Sequence, residues 1–211
     1  MKHITCYLDF VSPYAWLALE QMPKALQGLS YHVDYRPVLL GALLQGNANP
    51  GPAGIPAKRL WTYRHVTWLG QALGVELQMP ARHPFKPLPL LRLALAHGRD
   101  GSINRFVAQA VMQHVWQGGH GANDAQRLQE LRAQLKEQLR QEEDSAEVKQ
   151  WLRGNTEQAQ QAGVFGVPAW VVDGHVFWGL DALPMLRSYL EGNAWFDAQW
   201  QVAARVESGL G

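Results

Sequence analysis

An apolar run, Ile4 to Val11, stops at Ser12-Pro13, and a helical pattern begins there. No other feature of the chain narrows its fold as much. The β-branched and aromatic content of Ile4 to Val11 reads as a strand, interrupted near its end by Asp9. Asp9 is either buried and perturbed or faces the helix start. Ser12 is a good N-cap, and Pro13 suits the first helical position, where its missing N–H costs nothing. Ala15, Leu19, Met22 and Leu26 recur at helical spacing. Pro23, inside that pattern, should kink or shorten the helix, and Gly28 ends it. Leu29 to Val38 reads as a second strand, closed by Pro37 and Gly41. Strand, helix, strand makes a βαβ unit with a right-handed crossover.

The middle of the chain loses its strands. Gln45 to Pro56, rich in Gly, Asn and Pro, predicts a loop. Ala57 to about Gly74, Leu90 to His97, Ile103 to Trp116 and Gln126 to Gln141 each predict a helix. Leu128, Leu131, Leu135 and Leu139 form a row too short for a coiled coil, so it marks a core-facing amphipathic helix. The last quarter returns to β. Thr156 to Ala162 predicts a short helix and Ala169 to Val172 a strand. Asp173-Gly174 is a two-residue hairpin turn, His175 to Trp178 the returning strand, and Leu180 to Leu190 and Asn193 to Val206 closing helices. The order is α/β: a thioredoxin-like core (βαβ…ββα) interrupted by an all-helical insertion domain. The core takes residues 1–42 and 154–211, and the insertion 43–153.

Composition removes several function classes. The 211 residues are 47% hydrophobic and 18% charged, with a net charge of +1, so no strong field draws nucleic acid or anionic lipid. One cysteine, Cys6, forbids an internal disulfide, and its place in the first strand predicts an inert buried thiol. Nothing near the start reads as a signal peptide, and no apolar run reaches the roughly 18 residues of a membrane helix. The expected setting is cytoplasmic, with no nucleic acid and no membrane as partner. The histidines are scattered without ligand spacing, so no metal is expected.

A thioredoxin-like redox protein carries its nucleophilic cysteine at the strand-to-helix turn that Ser12 occupies here. With Ser12 and Ala15 in place of a Cys-x-x-Cys pair, disulfide chemistry has no sulfur to use. A hydroxyl at a helix N-terminus can instead donate to a thiolate that arrives on a small molecule. A free thiol ionises near ~8.5, and a hydrogen bond to a charged group is worth roughly 1.5–3 kcal/mol, or about one to two pKa units. Ser12 is then a donor and not a nucleophile; its plainer reading is a helix cap alone. Val167-Pro168, entering a strand beside that turn, is a place for a cis peptide whose outward-turned backbone pairs with an extended peptide.

These segments carry a resemblance. Phe10-Val11-Ser12-Pro13-Tyr14, Arg36-Pro37-Val38-Leu39-Leu40-Gly41, Gly163-Val164-Phe165-Gly166-Val167-Pro168 and Phe177-Trp178-Gly179-Leu180-Asp181 resemble the kappa-class glutathione transferase and 2-hydroxychromene-2-carboxylate isomerase family. The similarity runs in order over nearly the whole chain. It implies glutathione as cofactor, a homodimer, and a thioredoxin core with a helical insertion. It places Ser12 on the glutathione sulfur, and the Val167 backbone, before Pro168, on the cysteinyl unit. Asp181 matches the residue on the γ-glutamyl ammonium, and Leu180 offers its backbone N–H to the γ-glutamyl carboxylate. Lys58 matches a lysine on the glycyl carboxylate, and Asn49 a glutathione-binding asparagine, with Asn47 taking that role if the loop shifts. Leu180 stands where the family is usually polar, and Ala182 where arginine usually follows the acid. Lys58 reads equally as a solvated lysine and Asp181 as a plain helix-start charge.

By the same resemblance the reaction is glutathione-dependent cis-trans isomerisation of 2-hydroxychromene-2-carboxylate to trans-o-hydroxybenzylidenepyruvate in aromatic catabolism. The substrate is a small aromatic acid. Trp61, Trp116 and Trp178 either line its cleft or belong to the core. The alternatives are a kappa-like glutathione transferase acting on other electrophiles and a non-catalytic thioredoxin-fold module that binds extended peptides beside Pro168.

Overall fold

The strand that opens the chain lies inside the sheet. In the computed structural model, which describes residues 1–207 and Gly209, β1 (Lys2–Leu8) pairs in parallel with β2 (Tyr31–Pro37) and antiparallel with β3 (Ala169–Val172). β3 pairs antiparallel with β4 (His175–Trp178) through the Asp173-Gly174 turn, giving the sheet order β2-β1-β3-β4. Positions 208, 210 and 211 of the expected 154–211 segment lie outside the described residues. Alternation along the strands separates two cores. Ile4, Cys6, Leu8, Trp170 and Phe177 face one, and Tyr7 and Ala169 the other.

The crossover α1 (Pro13–Ala25) lies on the larger core with Ala15, Trp16, Ala18, Leu19 and Met22 buried. Pro23 does not shorten it. A proline leaves the carbonyl four residues earlier without its helical donor. That carbonyl, Leu19 O, takes a 2.8 Å hydrogen bond from Arg105 Nη1, and the helix runs on to Ala25. β1 stops at Leu8, short of the expected Val11, because Asp9 turns the chain: its carboxylate accepts from Val11 N and Leu40 N, and its carbonyl from Ser12 N.

Between β2 and β3 the chain is helical: α2 (Leu40–Gly46), α3 (Pro56–Leu73), α4 (Leu88–Ala96), α5 (Arg105–Trp116), α6 (Ala125–Leu135) and α7 (Ala146–Gln161). The loop expected from Gln45 to Pro56 therefore begins inside α2 and contains a 3-10 turn at Pro52–Gly54. The leucine row ends early. Leu128, Leu131 and Leu135 are buried, but a 3-10 turn at Lys136–Gln138 takes Leu139 off the core face and leaves it exposed. α7 starts ten residues before the expected Thr156, capped by Ser145 Oγ on Val148 N, and runs unbroken through positions 153 and 154. Two helices close the chain, α8 (Leu183–Leu190) and α9 (Trp195–Ala204). α8 packs on α1 and β4. Among the described residues no helix is long and apolar enough to cross a membrane.

Candidate glutathione site

Three segments that are remote in sequence meet at the N-terminus of α1. Ser12, in extended conformation (φ −94°, ψ 114°), caps the helix: its Oγ accepts from Ala15 N at 3.3 Å and donates to Val167 O at 3.3 Å. The Ser12 carbonyl accepts from Ala15 N and Trp16 N as well. The Val167–Pro168 peptide is cis, and Pro168 O accepts from Gly179 N at 2.9 Å. This bond ties the strand start to the segment carrying Leu180 and Asp181. Among the described residues, neither Val167 N–H nor Tyr14 N–H, at the second position of α1, meets an acceptor. A buried hydroxyl at a helix N-terminus therefore meets the backbone of the cis peptide, whose Val167 N–H is unpaired.

Small residues permit this approach. A Cβ at Gly166 would stand 2.7 Å from Trp178 Nε1, so glycine lets the indole lie over the loop before Val167. Trp178 and Phe165 are both exposed, with rings 4.8 Å apart, and form an aromatic ledge there. Gly179 has φ +101°, a region L side chains avoid, and a Cβ there would collide with the Asp181 carboxylate. Asp181 is exposed in the turn before α8. Burial first, and the Asp181 charge second, push the Tyr14 phenol up from its ordinary value.

Among the described residues, none of the remaining expected residues hydrogen-bonds Ser12, Val167 or Asp181. Asn49 is exposed, and its side-chain carbonyl already accepts from Gly51 N at 2.9 Å, leaving only its NH₂ to offer. Lys58 is exposed in the first turn of α3, and among the described residues it has no ion-pair partner. Trp116 is core: it is fully buried, and its Nε1 donates to Phe10 O at 3.1 Å. Trp61 is exposed on α3 and stacked at 5.8 Å on His65, whose Nδ1 lies 3.0 Å from the Tyr14 hydroxyl in the first turn of α1. Cys6 is fully buried, and burial pushes its thiol pKa up, so it stays protonated and inert. A cleft of about 360 Å³ between α2, α4 and α7 contains none of the residues around Ser12. Of its cations, Arg92 and Lys149 face Asp144, and Arg153 faces Glu157.

Two further groups had no role in the expected site: His83, and Phe165, which stands inside the motif Gly163 to Pro168. His83 bonds the Val11 carbonyl through Nε2 at 2.8 Å, and Phe165 completes the ledge with Trp178. Asp9 is entirely buried. Desolvation pushes its carboxyl up to about 7 despite bonds from the Leu40, Val11 and Phe10 N–H groups.

Residues 3–191 match the DSBA-like thioredoxin domain, and the chain belongs to that family. Its curated relatives include the 2-hydroxychromene-2-carboxylate isomerase of Sphingobium xenophagum, 29% identical over 198 residues, with 90% of this chain and 98% of that protein covered. They also include glutathione S-transferase kappa 2 of Caenorhabditis elegans, 26% identical over 207 residues, covering 90% and 92%. Among solved structures, a 2-hydroxychromene-2-carboxylate isomerase superposes with a TM-score of 0.72 at 21% identity, over 94% of this chain and 98% of that one. That likeness shows a shared fold.

Proposed function

We propose that the protein is a glutathione-dependent isomerase of the 2-hydroxychromene-2-carboxylate type, acting on a small aromatic acid in aromatic catabolism. The observation that carries the reading is Ser12: a hydroxyl, not a thiol, caps α1 directly against the Val167 backbone. The relatives named for this isomerisation and for kappa-class transfer support it. The donor set fits the cofactor, because a thiolate needs a hydrogen-bond donor and positive potential and the cysteinyl backbone needs a strand partner.

Glutathione, when bound, supplies a thiolate whose reversible addition to the conjugated substrate lets the former double bond rotate. The chain's own residues hold and tune it. Ser12 turns its hydroxyl proton from Val167 O to the sulfur, and α1 adds its N-terminal field. Val167 offers its N–H to the cysteinyl carbonyl as an edge strand would. Asp181 receives the γ-glutamyl ammonium, the Leu180 N–H the γ-glutamyl carboxylate, and Lys58 the glycyl carboxylate, with Asn49 contributing its NH₂. Phe165 and Trp178 offer an apolar wall to the aromatic ring. In this reading residues 1–42 and 154–211 hold the cysteinyl and γ-glutamyl units of the cofactor, 43–153 reach its glycyl end and close the cleft, and the working form is a cytoplasmic homodimer.

A second reading, a kappa-like transferase acting on other electrophiles, shares every one of these contacts and is favoured by the C. elegans relative. Turnover assays with and without glutathione separate the two. Isomerisation of the chromene that needs glutathione but does not consume it is the expected result. Consumption of glutathione with a chlorinated aromatic, and no isomerisation, would assign the second reading.

A further inference from the structure

The peptide unit that leads into Ser12 is clamped at both of its polar groups. Its N–H, that of Ser12, donates to Asp9 O at 3.1 Å. Its C=O, that of Val11, accepts from His83 Nε2 at 2.8 Å. The preceding carbonyl, Phe10 O, accepts from Trp116 Nε1, and Val11 N donates to the Asp9 carboxylate. The orientation of the Val11–Ser12 peptide plane sets φ of Ser12, and the helical bonds to Ser12 O set its ψ. Together they fix the Cα–Cβ direction from which the hydroxyl reaches Val167 O.

His83 comes from the Pro-rich connection between α3 and α4, far from the turn in sequence. Its ring is itself oriented: Nδ1 lies 2.9 Å from the Tyr63 hydroxyl, Tyr63 also donates to His83 O at 2.7 Å, and the ring tilts on Trp116 at 5.6 Å. Burial lowers the His83 pKa, favouring neutral imidazole. A neutral ring can serve the Val11 carbonyl only as the Nε2–H tautomer, and the single Tyr63 hydroxyl proton is then shared between Nδ1 and His83 O. The protonated ring keeps the same Nε2–H bond and donates through Nδ1 to the Tyr63 oxygen. The clamp on Val11 therefore holds in both protonation states.

We infer that His83, oriented by Tyr63, is a positioning residue that sets the Ser12 hydroxyl through the Val11 carbonyl. It touches neither cofactor nor substrate. Its role for a bound thiolate rests on the reading of Ser12 above; its hold on the turn does not.

The experiment is amide hydrogen exchange, read by mass spectrometry over residues 9–19, for the wild type, His83→Leu and His83→Gln. Loss of one hydrogen bond should speed exchange of this segment roughly two- to tenfold in His83→Leu and leave β3 and β4 unchanged. Glutamine carries an N–H at a comparable reach and should restore the wild-type rate. Unchanged exchange in His83→Leu, or a glutamine variant no better than leucine, would overturn the inference. Tyr63→Phe, which keeps the imidazole but frees the ring, should show a smaller increase and serves if His83→Leu does not fold. The thiol pKa of bound glutathione should also rise in His83→Leu and return in His83→Gln. A wild type that binds no glutathione would refute the function proposed for Ser12, while the exchange rates would still decide the role of His83.

Discussion

Replacing Ser12 with alanine separates its two jobs, because they differ in size. In the fold the hydroxyl makes two hydrogen bonds of 3.3 Å, both at the long end. Ala15 N keeps a second acceptor, the Ser12 carbonyl at 3.1 Å, so no helix donor is orphaned. The cost to folding should sit at the low end for a lost cap, about 0.5–1 kcal/mol. Toward a thiolate the same hydroxyl is worth more. A hydrogen bond to a charged group contributes roughly 1.5–3 kcal/mol. The weak bond to Val167 O that must be given up offsets part of this, leaving about 1–2.5 kcal/mol. That corresponds to a rise of about one to two units in the thiol pKa and a loss of roughly 10- to 100-fold in turnover at neutral pH. Glutathione should still bind. The deficit should shrink as pH rises past the new thiol pKa, because the thiolate then forms without help. Ultraviolet thiolate absorbance of the loaded protein and turnover against pH measure both effects. Full turnover of Ser12→Ala at neutral pH, with an unmoved thiol pKa, would reduce Ser12 to a cap and refute the reasoning.

Two further outcomes test the scaffold. With the Asp9 carboxyl raised to about 7 in the fold and ordinary in the unfolded chain, the folded state holds the extra proton, so stability is present at low pH and lost as pH rises toward 7. Between about pH 5 and pH 8 the loss from this group should be about 2–3 kcal/mol. Denaturant unfolding at both pH values should show a smaller pH dependence in Asp9→Asn, and equal dependence in both proteins would contradict a protonated Asp9. Arg105→Met should cost about 1–3 kcal/mol by leaving buried Leu19 O unpaired. Adding Pro23→Ala, which returns a helical N–H to that carbonyl, should recover part of the loss, and an unchanged cost would assign it to the ion pair with Glu20.

What could be read in the chain followed from local chemistry. Ser12-Pro13 marked the start of α1, and Asp173-Gly174 marked the hairpin, because capping and left-handed turns demand particular residues at fixed offsets. The unread parts depend on tertiary partners. Asn155 and Thr156 look like the polar start of a short helix, yet both are buried inside α7. Asn155 bridges Pro37 O and Gly101 O and accepts from Arg36, and Thr156 accepts from Leu39 N. Polar residues with such partners belong in a core, and no period in the sequence announces them. Asp9 ended β1 early because its acceptor capacity was spent on Val11 and Leu40, one of them thirty-one residues away. At the site, Ser12 and Val167 were legible as a pair through the family motifs. His83 was not, since a histidine in a Pro-rich loop carries no signal of what it will touch, and Phe165 stood in a motif without any sign of its pairing with Trp178.

The most direct measurement is calorimetric titration with glutathione in two buffers of different ionisation enthalpy, at neutral pH. If Ser12 and the α1 N-terminus lower the thiol pKa by about one to two units, binding at pH 7 should release roughly 0.2–0.7 proton per glutathione bound, and Ser12→Ala should release far less. Binding without proton release, or no binding heat at all, would contradict the account.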